Sequence, residues 1–119
     1  MKDFRDLAVW TRAHQVVLEV YRVTASFPRK EMYGLTAQVR RAAASICANI
    51  AEGCGRGGNA EFARFLQMAM GSASETEYHL LLARDLKLLP PAAYEQVSGR
   101  LVEVKRMLAA LLRKVRADC

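Results

Sequence analysis

Between residues 33 and 56 the chain reads YGLTAQVRRAAASICANIAEGCGR, and three kinds of residue recur there at the spacing of a helical turn. Leu35, Val39, Ala42, Ile46 and Ile50 step by three or four positions and draw an apolar seam, the pattern of an amphipathic helix set against a core. Ala43, Ala44, Ala48 and Ala51 add small residues that let a neighbouring element approach closely. Beside the seam runs a polar row, Gln38, Arg41, Ser45, Asn49, Glu52 and Arg56, which the same steps keep on one strip of surface. Asparagine competes with the backbone for hydrogen bonds and is a poor mid-helix residue, so Asn49 is read as answering to a tertiary partner. A segment this regular commits the chain to helices packed side by side.

The flanking segments agree. A first helix is predicted over residues 6–26, with one seam of Leu7, Trp10, His14, Val17, Tyr21 and Thr24 and another of Val9, Ala13, Val16, Val20, Val23 and Phe27. Phe27-Pro28 closes it, because proline cannot continue the helical bonding and restrains the residue before it. The second helix starts between residues 29 and 36, with Thr36 a candidate N-cap. A third is predicted from Asn59, as N-cap, to about residue 88. Its first seam is Phe62, Leu66, Ala69, Ala73, Thr76, Leu80 and Ala83; its second, Phe65, Met68, Ser72, Glu75, His79, Leu82, Leu86 and Leu89, is polar at its middle. Leu89-Pro90-Pro91 breaks the chain and opens a fourth helix, where Tyr94, Val97, Leu101, Val104, Leu108, Leu111 and Val115 form a heptad seam.

Four helices joined by short breaks specify an all-α, up-and-down four-helix bundle, and no stretch alternates with a strand's period for long. At 119 residues and 52% hydrophobic content, residues 1–119 are read as a single domain with a real core. A bundle consumes about one apolar stripe per helix, so the double seams of the first and third helices point to self-association. The polar row of the second helix is expected to meet Ser72, Glu75 and His79 of the third, with Arg41 pairing Glu75 or Glu52. Gln38, Arg41, Ser45, Asn49, Glu52, Ser72, Glu75 and His79 are therefore the expected helix or subunit interface.

These residues also resemble a known family. QVRRAAASICANIAEGCGR, residues 38–56, is similar to the signature of the 23S rRNA intervening-sequence proteins, small four-helix bundles that in turn resemble the accessory protein of diversity-generating retroelements. Residues 4–10, 20–36 and 62–77 match in the same order, so the likeness covers about three quarters of the chain. The last helix matches in pattern only. The resemblance implies a homo-oligomeric, five-fold ring and an association with RNA. Two departures stand out: Cys47 replaces a frequent proline, implying a straighter helix, and Ala73 and Thr76 replace usual leucines, implying a thinner local core.

Chemistry is sparse. Gly53, Gly55 and Gly58 satisfy GxGxxG, but a dinucleotide fingerprint follows a strand and this one follows a helix, so a helix end and turn is the preferred reading. The remaining option is that Arg56 and the free N–H groups opening the third helix hold a phosphate. His14 and His79 lack the glutamate three residues earlier that a di-iron bundle needs, and both lie on seams. Glu75 and Glu77 fall on different faces and make no acid–base pair. Cys47, Cys54 and Cys119 show no CxxC spacing, and Cys47 and Cys54 lie about 10 Å apart along one helix, too far for a disulfide. No catalytic residue, metal site or cofactor is read from the sequence, and the chain is expected not to be an enzyme.

Charge supplies the functional expectation. The net charge is +6, and from Arg100 onward six cations, Arg100, Lys105, Arg106, Arg113, Lys114 and Arg116, face only Glu103 and Asp118. Cations in a last turn complement the helix dipole, yet Arg106 and Arg113 lie opposite the heptad and would repeat around an oligomer as a basic ring. Expected partners are a second copy of the chain and nucleic acid, RNA foremost, held by Arg106, Arg113, Lys114, Arg116 and Arg56 through backbone electrostatics. The alternative is a scaffold for another protein, such as a reverse transcriptase. With Lys2, Asp3, Arg5 and Asp6 at its start and no apolar run of about 20 residues, the chain is expected to be cytoplasmic, away from membranes.

Overall fold

The computed structural model describes residues 3–119. Four α-helices follow one another, α1 (Ala8–Thr24), α2 (Leu35–Gly55), α3 (Asn59–Asp85) and α4 (Pro91–Ala117), with single 3-10 turns at Phe4–Asp6 and Arg29–Glu31. Among the described residues there is no strand. Each helix packs against two others, α1 on α2 and α4, α3 on α2 and α4. The registers are antiparallel: Arg41 pairs with Glu75 and Ser45 with Ser72 across α2 and α3, while Arg12 pairs with Glu103 and Glu19 with Arg100 across α1 and α4. The result is the expected up-and-down bundle, 45 Å long.

Local chemistry sets most boundaries. At the end of α1 the Thr24 hydroxyl donates to the Val20 carbonyl (2.7 Å) and accepts from Arg40 Nε (2.8 Å), while Arg40 Nη2 reaches the Tyr21 carbonyl at 3.3 Å. A guanidinium thus covers the negative end of a helix dipole. The helix stops at Thr24 rather than residue 26, because Phe27 turns into the core ahead of Pro28. Thr36 is not the cap of α2: Gly34 precedes the helix, and the Leu35 N–H donates to Glu31 Oε1 at 3.3 Å. Asn59 is not the cap of α3 either. Gly58 holds that position at φ +93°, a conformation that favours glycine, and Asn59 is the first helical residue. Pro90 and Pro91 open α4 as expected.

The core is the seams. Leu35, Val39, Ala42, Ile46 and Ile50 of α2 and all seven first-seam residues of α3, Phe62 to Ala83, are buried. On α1 the Val9, Ala13, Val16 and Val20 seam is buried, whereas Leu7, Trp10, His14 and Val17 are half-buried and Tyr21 is exposed. On α4 the buried line is Val97, Leu101, Val104, Leu108, Leu112 and Val115, so Leu112 displaces the expected Leu111. A helix of 3.6 residues per turn drifts by about 20° per heptad from a 3.5-residue repeat, which by the second heptad turns Leu111 to the edge of the buried face and brings Leu112 into it, while Val115 stays on the line. Each fully buried Val, Leu or Ile contributes roughly 1.5–3 kcal/mol, far more than the about 0–1 of an exposed ion pair, so these seams hold the bundle.

α2 and α3 approach closely at Gly53. A Cβ there would lie 2.8 Å from Phe65 Cβ and 3.1 Å from Phe62 Cδ1, so the glycine lets α2 meet the first turns of α3. Cys47 sits in an uninterrupted α2, and burial pushes its thiol pKa up to about 12.

Candidate functional site

α4 carries the basic surface that the sequence singles out, and the structure sorts its cations. Lys105 Nζ lies 2.8 Å from Glu77 Oε1 on α3, and Arg100 pairs with Glu19 at 3.3 Å, so both are partly neutralised. Arg116 donates to Gln67 Oε1 at 3.0 Å. Arg106, Arg113 and Lys114 are exposed and take part in none of the ion pairs found among the described residues. Arg106 and Arg113 are seven positions apart, about 10 Å along one outward line of α4. By the register with α1, α4 runs on for about two turns past the first residue of α1, and these turns carry Arg113, Lys114 and Arg116.

The glycine turn lies at the same end. Asn59 Nδ2 meets the Asp118 carbonyl at 3.5 Å, which brings the start of α3 to the end of α4 and places Arg56 near the terminal cations. Arg56 is bound to Glu52 (2.9 Å) and sits 5.1 Å above the Phe65 ring. A cavity of about 330 Å³ there is lined by Gly53, Cys54, Arg56, Gly57, Gly58, Asn59 and Phe62. The three glycines of the motif have separate roles: Gly53 admits a helix crossing, Gly55 ends α2, and Gly58 supplies the positive φ.

The polar strips of α2 and α3 face each other. Arg41 pairs with Glu75 and also donates to Gln38 Oε1 (3.2 Å); Ser45 and Ser72 share a 2.9 Å hydrogen bond; Asn49 Nδ2 donates to the Ser45 carbonyl and hydroxyl at 2.9 and 3.1 Å. His79 Nε2 stands 3.2 Å from Glu75 Oε2. Burial raises the Glu75 pKa, but its hydrogen bonds with His79 and Arg41 and the charge of Arg41 outweigh that and hold it below the usual carboxylate value. The strip is a seam edge rather than a buried network, since Arg41 is 56% exposed. Glu52 is not part of the crossing; it turns to Arg56 along its own helix.

Sequence reasoning passed over one charged residue that the fold buries. Glu19 is 5% exposed and binds Arg22 (3.1 Å) and Arg100 (3.3 Å) through Oε2. Its position between Val16 and Val20 on the inner face of α1 was the available signal. Arg40, whose guanidinium stacks 4.6 Å from the Tyr21 ring, lay equally outside the polar row. Cys47 and Cys54 are buried and Cys119 is exposed. Among the described residues no group of three or more His, Cys, Asp or Glu is placed to hold a metal ion, and no helix is long and apolar enough to cross a membrane.

Comparison with known proteins adds to this geometry. Residues 5–110 match the family described as 23S rRNA-intervening sequence protein. A crystal structure of a protein of unknown function from the S23 ribosomal protein family of Bacteroides thetaiotaomicron has the same fold, with a TM-score of 0.79 at 23% identity over 88% of this chain and 98% of that one. No curated protein matches the chain in sequence.

Proposed function

We propose, since the chain belongs to the 23S rRNA-intervening sequence protein family, that it is a non-catalytic, self-associating bundle that binds RNA through the outward cations of α4. The observation that carries this reading is the exposed group Arg106, Arg113 and Lys114, which no carboxylate of the described residues neutralises. Terminal cations alone would be accounted for by the helix dipole, which acts within the last turn. Arg106 stands three turns from the end of α4 and lies outside that explanation. Arg116 and Arg56 extend the basic surface around the end of the bundle. Contact is with phosphates, so affinity exceeds sequence preference.

Self-association multiplies the surface. Tyr21, Met32, Tyr33, Met68, Tyr78 and Leu86 are among the large apolar side chains exposed on the isolated chain, apolar area that a ring of copies, five by the family resemblance, would cover. Light scattering should then report a particle several times 13.3 kDa.

Titration of fluorescent single-stranded RNA at several salt concentrations tests the binding. Affinity should fall by roughly 0.7 in logarithmic slope for each phosphate neutralised. Arg106→Glu with Arg113→Glu should abolish binding while helical content and particle size persist. If the unaltered protein shows no salt-sensitive binding to RNA or DNA at low salt, the reading fails, and a scaffold for another protein takes its place.

A further inference from the structure

Between α1 and α4 runs a groove of about 590 Å³, walled by Arg12, Glu19 and Arg22 on one helix and Arg100 and Glu103 on the other. Its charges are arranged unusually. Glu19, though 5% exposed, binds both Arg22 and Arg100 through the single oxygen Oε2, and no donor among the described residues reaches its buried Oε1. Arg12 Nη1 meets Glu103 Oε1 at 2.6 Å. Each guanidinium therefore spends one nitrogen on its carboxylate and keeps other N–H donors, whereas a pair built for strength is bidentate.

Stability does not account for the buried carboxylate, because desolvation offsets its attraction and an apolar side chain of similar size serves a helix interface as well. What Glu19 does is hold two guanidinium groups at the groove wall, with N–H donors left over. Three cations outnumber two carboxylates, and the amides of Gln15 and Gln96 add neutral donors along the same walls. We infer that this groove is a phosphate-binding site for a ligand carrying several phosphate groups in a row, with Arg12, Arg22 and Arg100 as its contacts and Glu19 as a positioning residue. Arg12 and Arg22 are ten positions apart on α1, about 15 Å along the axis, so the cations are strung along the groove rather than gathered at one point. The site goes beyond the RNA-binding surface proposed above. Arg100 and Arg106 are six positions apart, about 120° around α4 by the shorter way, so the two point in different directions, with Glu103 at the border between the groove and the outward cations.

Two sources share this chemistry: a free oligophosphate or nucleotide, and the backbone of a nucleic acid. The test is calorimetric titration of the full-length protein with inorganic tripolyphosphate, repeated in the presence of single-stranded RNA. Saturable binding of one tripolyphosphate per chain is expected, weakened roughly tenfold to a hundredfold by Arg100→Gln, as fits loss of a charge-assisted hydrogen bond. Glu19→Gln should weaken it too, with arginine Nε–H resonances of Arg22 and Arg100 shifting even where the melting temperature does not. Competition between RNA and tripolyphosphate identifies the backbone as the source; simultaneous binding identifies the free anion. Absence of saturable tripolyphosphate binding, or binding indifferent to Arg100→Gln, overturns the inference. RNA binding that survives such a result leaves the α4 reading intact, and loss of RNA binding alone leaves the groove intact.

Discussion

Gly53→Ala adds one methyl group where α2 crosses α3, and the geometry fixes the sign of its effect. The new carbon would meet Phe65 Cβ at 2.8 Å and Phe62 Cδ1 at 3.1 Å, against 3.4–4 Å for ordinary contact. Phe65 Cβ is anchored to its own backbone and cannot rotate away, so the two helices must part by about half an ångström, and the packing around Phe62 and Leu66 loosens with them. Overpacking of this kind costs about 1–3 kcal/mol. Alanine returns about 0.5–1 kcal/mol through its better helix propensity, which leaves a net loss of roughly 0–2.5 kcal/mol, toward the upper end because the Phe65 Cβ cannot yield. For a chain of this size each kcal/mol corresponds to a fall in melting temperature of about 4 °C, so the expected fall reaches up to about 10 °C. Gly99→Ala is the matched control, since Gly99 is helical and exposed with nothing within 4 Å of the added carbon, and it should gain about 0.5–1 kcal/mol. Urea denaturation followed by circular dichroism, at one protein concentration so that self-association is held constant, measures both. The reasoning is refuted if Gly53→Ala raises the midpoint as Gly99→Ala does.

Other consequences follow from single sites. Arg41→Ala should lower stability by only about 0–1 kcal/mol, because its pair with Glu75 is exposed; a loss of several kcal/mol in chemical denaturation would show that the strip is buried in an assembly. Glu75 has a depressed folded-state pKa, so its contribution is present above the ordinary carboxylate value near 4.5 and is lost as the pH falls through the lower folded value. Glu75→Gln should flatten that part of the stability–pH curve by about 0–1 kcal/mol, and an unchanged curve counts against the pair. Thr36→Val should be neutral or stabilise by about 1 kcal/mol, since the Thr36 hydroxyl is buried without a partner among the described residues; a clear fall in the melting midpoint would mean that the hydroxyl has one. Cys119 should react with a thiol reagent at once, while Cys47, buried and with its pKa pushed up to about 12, should react only on unfolding. Equal labelling rates in native protein would contradict the packing of α2.

The bundle was legible because periodicity is a local property. Leu35 to Ile50 and Phe62 to Ala83 each state in their own spacing which face is to be covered, and prolines at 28, 90 and 91 state where helices cannot continue. Facing polar strips were readable too, since Ser45 finds Ser72 opposite it; Asn49, expected to answer to a tertiary partner, instead donates to the carbonyl and hydroxyl of Ser45 one turn back on its own helix. Caps were not. Whether Gly58 or Asn59 starts α3 depends on a backbone angle fixed by how two helices meet, and Leu112 replaces Leu111 because the buried line follows the drift of a real helix past its neighbours. The candidate sites divide in the same way. The run of cations on α4 is visible as composition, but which are spent depends on Glu77 and Glu19, 28 and 81 positions from Lys105 and Arg100. Only packing α1 against α4 brings Glu19 between two arginines and opens a groove beside them, because burial and charge pairing between distant residues are properties of the assembled helices and of no single segment.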